Sequence, residues 1–405
     1  MRRVNAVAAT AAVFCALSQF SGSALADVTA FEGARLIVGD GRVIENATLL
    51  MDGTKIVQAG AGVTVPADAK RVNVSGKTVM PALIDSHVHL SYTRDKLIRD
   101  LRQRGYWGVG AAQSLGLDNL ELLSVRNEVI PGAARFLSAG HGITRKEPMR
   151  PTFQIESEDE ARKAVRENVA LGVQLIKIWV DDRDGKVQKV TPAQYGAAID
   201  EAHKAGIRAI AHVFNMEDAK GLMRAGIDAF AHGIRDQDVD EETVAMFKAR
   251  PGIVLNPNLP DRGVKVDRSW MQAGMTPEEF AKLERENLDL PKVQQFHGIQ
   301  ARNLAKMNAA GVFIVMGTDG NRPWGPHEEM EDMVLAGMTP AQVLIASTKN
   351  GAQFLRIADA GTLEAGKSAD FIVLDANPLD DIKNTRKISA VYLRGAAVDR
   401  SQPVP

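Results

Sequence analysis

Cysteine is nearly absent: among 405 residues the chain has one, Cys15. It lies in the N-terminal apolar stretch and follows Phe14, not the small residue that a lipoprotein cleavage site needs. An intrachain disulfide is excluded, and a metal centre here has to be built from nitrogen and oxygen ligands, which suits zinc and similar divalent ions. An excess of one charge is also missing, with 49 Lys and Arg against 50 Asp and Glu. No surface for a polyanion is expected, and so no nucleic-acid partner. Beyond the N-terminus there is no apolar run long enough to span a membrane, no heptad pattern and no low-complexity tract.

What is there begins with Arg2 and Arg3, an Ala/Val/Phe/Leu stretch, and Ala24-Leu25-Ala26 before Asp27. This is the pattern of a secretory signal, residues 1–26, cleaved after Ala26. Ser18, Gln19, Ser21, Gly22 and Ser23 break the apolar run short of the roughly 20 residues of a span. The expected mature protein is therefore periplasmic or extracellular, with 47 basic and 50 acidic residues.

Residues 28–80 read as short strands separated by the turns Gly39-Asp40-Gly41 and Asp52-Gly53. From about Pro81 to Leu355 short apolar strands alternate with amphipathic helices, the pattern of a parallel α/β fold. Strands are expected near 82–88, 106–113, 134–140, 173–180, 207–213, 227–232, 252–257 and 312–318, and eight such units fit a (β/α)₈ TIM barrel. Helices are expected at 157–171, with Glu158 and Arg162 as a spaced ion pair, and at 192–205, where Thr191-Pro192 supplies the cap and a first-turn proline. Strand patterns return at Ala369–Leu374 and Ala390–Arg394. The expected domains are a barrel over 81–355 and a small β-sandwich that both chain ends, 27–80 and 356–405, build together.

Within this frame Lys177 is out of place. It sits in Leu175-Ile176-Lys177-Ile178-Trp179-Val180, a strand apolar on both faces, where a lone ammonium is costly unless paired, neutralised or chemically altered. His87-Val88-His89 closes the first strand, and residues two apart share a face, so both imidazoles can address one ion. His212 closes the fifth strand, His232 the sixth, and Asp319 follows the eighth. Each of these alone is an ordinary strand-end residue. Together they share the C-terminal ends of the strands, where barrel active sites gather.

This set resembles the metal-binding residues of the amidohydrolase superfamily, in the branch of imidazolonepropionase-like hydrolases and metal-dependent, prolidase-like dipeptidases. The likeness spans the mature chain and includes Gly366-Lys367-Ser368-Ala369-Asp370, similar to the family's return into its β-domain. The resemblance implies a binuclear centre: His87, His89 and Asp319 on one metal, His212 and His232 on the other. Lys177, carboxylated by carbon dioxide, would bridge the two as a carbamate. It also implies a hydroxide shared by the metals as nucleophile, with Asp319 as general acid and base. Two details depart from the family pattern: Pro81-Ala82 stands where relatives have Pro-Gly, and the second strand lacks an Arg-Asp pair.

Among secondary candidates, His141 after the third strand could touch substrate, and Trp179 shares strand parity with Lys177 and could wall the pocket. Asp181, Asp182 and Arg183 read as a solvated loop, His327 as the start of a helix, and residues 270–290 as a connection long enough to form a lid. The expected activity is hydrolysis of an amide-type C–N bond in a small molecule: a dipeptide, N-acyl amino acid, lactam or carbamate. The same centre could serve ester, lactone or phosphotriester hydrolysis. A catalytically silent small-molecule binder is disfavoured by the complete ligand set. Association into a homo-oligomer is compatible with this reading.

Overall fold

The computed structural model of the chain describes residues 28–146 and 151–402. The export signal read in residues 1–26 lies outside the described residues. The chain opens with β1 (Val28–Ile37), β2 (Val43–Asp52), β3 (Lys55–Gly60), β4 (Lys70–Asn73) and β5 (Thr78–Pro81). It continues with β6 (Leu83–Val88), β7 (Val109–Ser114), β8 (Arg135–Ser138), β9 (Ile143–Thr144), β10 (Phe153–Gln154), β11 (Leu175–Trp179), β12 (Arg208–His212), β13 (Ala229–Ala231), β14 (Val254–Asn256) and β15 (Phe313–Ile314). The last strands are β16 (Phe371–Leu374), β17 (Ile388–Leu393) and β18 (Ala396–Ala397).

The two ends of the chain share one sheet, in the order β18-β17-β16-β5-β1-β2-β3, with β4 also against β1. The expected sandwich takes the form of a single hydrogen-bonded sheet because β5 pairs parallel with β1 through one edge and antiparallel with β16 through the other. Its core is apolar and partly aromatic. Phe31 meets Phe371 and Tyr392 edge-on at 5.0 and 4.9 Å, among buried Leu36, Leu49, Val79 and Val373.

Eight of the remaining strands, β6, β7, β8, β11, β12, β13, β14 and β15, run parallel and alternate with helices. Together with the two-residue strands β9 and β10 they form two arcs, β6-β7-β8 and β10-β9-β11-β12-β13-β14-β15. The arcs are stitched at one seam by Ser86 N to Met316 O at 3.0 Å and Asp319 N to His87 O at 2.8 Å, and at the other by Gln174 N to Ser138 O at 3.4 Å. Ile84, Ala111, Leu175, Ile210, Ala229, Val254 and Val315 form one buried cluster to which successive strands each contribute a side chain. Lys177 and His212 lie two residues beyond Leu175 and Ile210, so period-two alternation sends them to the same side, one layer nearer the strands' C-terminal ends.

Strand β15 is shorter than the expected 312–318. Past Ile314 the backbone changes partner: Val315 N still donates to Leu255 O, whereas Thr318 N and Asp319 N both donate to His87 O. Gly317 permits that crossing, because a Cβ there would stand 2.8 Å from His87 N and 2.5 Å from the Asn256 amide. The helices Glu158–Ala170 and Pro192–Lys204 start with capping boxes from Ser157 with Glu160 and Thr191 with Gln194. The expected Glu158–Arg162 pair is replaced: Arg162 reaches across to Asp200 and Glu201 on the next helix, where two carboxylates converge.

Residues 270–290, read as long enough to form a lid, are anchored at their start. Trp270 packs at 5.5 Å from Trp107 and 4.2 Å from the Arg386 guanidinium, and Tyr106 Oη donates to Ala273 O. An indole anchored on two sides holds the start of the segment, while Leu283 O accepts from Arg268 Nη1 and Asn287 Nδ2 donates to Val266 O, and both Arg268 and Val266 line a cleft reaching Asp319. His327, in the helix Gly325–Leu335, belongs to the same cluster, with Nε2 2.9 Å from Trp107 O and Nδ1 3.0 Å from Thr385 Oγ1.

Candidate metal centre

The seam between β6 and the segment after β15 brings the first ligands together. Asp319 Oδ1 stands 3.1 Å from His87 Nε2 and 3.1 Å from His89 Nε2, and Asp319 Oδ2 is 3.5 Å from His232 Nε2. His87, His232 and Asp319 each offer a ligand atom within 4.8 Å of the others. His232 Nε2 is buried and makes no hydrogen bond. Asp319 and His232 both hold left-handed backbone angles, φ 51° and 99°, a conformation that costs on the order of 1–3 kcal/mol for such residues and is characteristic of functional sites.

Lys177 is fully buried, with Nζ 3.5 Å from His87 Nε2 and 5.2 Å from the centre of the Trp179 ring. The His212 ring lies 4.6 Å from that of His232, completing the group of residues expected from sequence. His212 Nε2 faces Asp181 Oδ2 at 3.3 Å, and Asp181 also receives Arg183 Nη1 at 2.5 Å. The loop read as solvated is thus corrected at Asp181, whose side chain is 13% exposed because it backs a buried imidazole.

The electrostatics suit ligation. Burial, reinforced by the Lys177 ammonium, pulls His87 down to about 4 against the opposing pull of Asp319. Burial likewise takes His212 to about 3, although Asp181 opposes it, and His232 well below its ordinary value. Desolvation by the surrounding protein would raise Asp319, whose side chain is 37% exposed, yet His87 and His232 outweigh it and keep the carboxyl well below the usual range. At neutral pH this leaves neutral imidazoles and an ionised carboxylate, the protonation pattern that divalent metals require. A donor set of nitrogen and oxygen with an unpartnered, buried His232 nitrogen fits such an ion.

Residues that sequence reasoning did not single out hold the ligands. Asp85 is fully buried and accepts from His87 N, Thr318 N and Thr318 Oγ1, tying the two ligand segments together. Burial pushes it up to about 6, moderated by nearby Arg104, which donates to Gly320 O and Asn321 Oδ1. Asn258 Oδ1 lies 2.7 Å from His87 Nδ1. The available signal was position: Asp85 has the strand parity of His87, and Asn258 follows the end of β14.

The two substrate candidates fall differently. Trp179 stacks on His89 at 6.4 Å and packs against Gly142, where a Cβ would stand 2.1 Å from the indole. At 3% exposure it buttresses His89 and leaves little surface for a substrate. His141 lies in the loop after β8; its backbone is held both ways by Asn168, and its ring meets Phe153 at 5.6 Å. A cleft of ≈ 160 Å³ opens at Asp319 and is lined by Arg262, Arg268, Arg322, Glu328 and Glu329 among others.

A sequence profile of the amidohydrolase family matches residues 78–398. The chain belongs to that family and is an enzyme of the hydrolase class. It is 25% identical to the imidazolonepropionase of Deinococcus radiodurans over 391 residues, covering 89% of this chain and 94% of the relative. It is 26% identical to the ochratoxinase of Aspergillus niger over 425 residues, covering 90% and 85%. In structure it is similar to a prolidase-like protein from Bifidobacterium longum, with a TM-score of 0.78 and 28% identity over 94% of this chain and 96% of the other.

Proposed function

We propose that this chain is an exported metal-dependent amidohydrolase that cleaves an amide-type C–N bond of a small molecule, such as a dipeptide, an N-acyl amino acid, a lactam or a carbamate. The observation that carries the reading is the shared carboxylate oxygen, Asp319 Oδ1, equidistant from His87 and His89 Nε2, with His232 beside it. The prolidase-like neighbour favours a dipeptide within that range.

His87, His89 and Asp319 would hold one divalent ion and His212 and His232 a second, with zinc suiting the donors. Ions bound there would supply Lewis acidity toward the scissile carbonyl and acidify a water at neutral pH. Asp319 accepts the proton of the attacking water and delivers it to the departing nitrogen, which its ionised state allows. Loss of the ammonium protons and carboxylation of Lys177 by carbon dioxide would replace a buried cation that competes for the His87 Nε2 lone pair with an anionic group able to serve as a ligand. Trp179, stacked on His89 and over Lys177, shields both from solvent.

The two parallel arcs form, in this reading, one closed (β/α)₈ barrel over 81–355, flanked by a β-domain from 27–80 and 356–405. Hydrogen bonds across both seams support it. Export rests on the signal pattern of residues 1–26, and a recovered protein starting at Asp27 is its check. The function is tested by assaying zinc-loaded protein against dipeptides, N-acyl amino acids, lactams, lactones and phosphotriesters. Amide cleavage that a chelator removes and zinc restores is expected; faster turnover of the lactones or phosphotriesters than of every amide overturns the assignment.

A further inference from the structure

Resting on that reading, we propose that Asn258 is a positioning residue that fixes the tautomer and aim of His87, and through it the retention of metal at the centre. The His87 ring is fully buried, so no bulk water reaches its Nδ1, and the group that meets it is Asn258 Oδ1 at 2.7 Å. At the other end of this carboxamide Asn258 Nδ2 donates to Asn256 Oδ1 at 3.1 Å, an arrangement in which the two side chains act as one unit. The oxygen faces the imidazole. An amide oxygen only accepts, so Nδ1 carries the proton and the lone pair resides on Nε2, the atom aimed at Asp319.

Asn258 is held in place by more than its own side chain. Its φ of 43° is a left-handed conformation that asparagine tolerates better than most residues. Gln300 Nε2 donates to both Pro257 O and Asn258 O, and the next residue, Leu259, gives its N–H to the Glu329 carboxyl. A helix on each side thus clamps the turn after β14: Pro291–Ala309, carrying Gln300, and Gly325–Leu335, carrying Glu329. Gln300 and Glu329 thus hold the backbone of three successive residues, Pro257, Asn258 and Leu259, in the turn that carries the group meeting His87.

Outer partners of this kind typically account for about 10- to 100-fold in metal affinity. The test loads wild-type protein, Asn258→Ala and Asn258→Asp with zinc and follows release into a chromophoric chelator, with melting of the metal-free forms measured alongside. Asn258→Ala is expected to release zinc at least about 10-fold faster, while Asn258→Asp, which keeps an acceptor at the same place, stays within a few-fold of wild type. Metal-free melting of Asn258→Asp close to wild type would separate this effect from general loss of structure. Wild-type protein that holds zinc while Asn258→Ala releases it no faster overturns the role of Asn258 alone. Equal zinc loss by the Ala and Asp variants also overturns it, because the acceptor would then be irrelevant. Wild-type protein that takes up no zinc overturns the metal reading and this inference with it.

Discussion

His87 and His212 are both buried imidazoles at strand ends, yet His87 is backed by the neutral amide of Asn258 at 2.7 Å and His212 by the ionised carboxylate of Asp181 at 3.3 Å. The first partner sits on a turn clamped by Gln300 and Glu329. The second sits on a loop whose next residues, Arg183 and Asp184, have positive φ, and its charge is shared with Arg183. One side of the centre is therefore held by shape and the other by charge. A charged partner raises the basicity of the imidazole it supports, whereas an amide only fixes its tautomer. The His87 side also carries Asp319, so the half clamped by two helices is the half where the proposed proton transfer would take place.

Four substitutions probe this contrast. Asp319→Asn, on the rigid side, should lower turnover by roughly 10³-fold while most of the metal is kept, since an amide can still offer an oxygen but cannot carry the proton. Metal content and kcat measured on one preparation check it, and near-normal turnover would remove the acid–base role. Lys177→Ala, at the junction of the two sides, should cost roughly 100-fold or more together with bound metal, with partial recovery in a short-chain carboxylate. A variant that binds two ions and turns over normally would end the bridging assignment.

Asp181→Asn addresses the charged side. With the ionised partner of His212 lost, metal release should quicken by roughly 10-fold, and the wild type alone should show release that rises with salt. Release that matches wild type at every ionic strength would make the two sides equivalent. The smallest effect lies away from the centre. His327 is buried and held down to about 3 by that burial, whereas an unfolded histidine takes its proton near 6.5. Its folded value is depressed, so its contribution to stability is full above pH 6.5 and is lost as the pH falls toward 3. The deficit of His327→Gln relative to wild type should shrink by up to about 1.4 kcal/mol per pH unit within that window. Denaturation curves for the two proteins that stay parallel from pH 7 to 4 would contradict this.

The asymmetry also explains what could be read in advance. His87, His89, Lys177, His212, His232 and Asp319 stood out because strand ends and period-two parity are local properties, and a lysine in an apolar strand is conspicuous by its cost. The partners were not legible in the same way. An asparagine after a strand has the usual role of a turn former, and Asp181-Asp182-Arg183 has the composition of a solvated loop. Their roles depend on which imidazole lies opposite, a tertiary fact. Trp270 shows the same limit: a long connection suggested a lid, and only packing against Trp107 and Arg386 showed where its start is held. The pairing of β5 with both β1 and β16 was likewise beyond any local pattern, since its partners are separated by most of the chain.

His87, His89, His232 and Asp319 converge on one point, where the proposed function puts divalent metal. Elemental analysis of the wild-type protein, after reconstitution with zinc and bicarbonate and removal of free metal, tests that directly. The account predicts about two ions per chain, both lost to a strong chelator together with hydrolytic activity. A folded protein that retains no divalent ion under these conditions would contradict it.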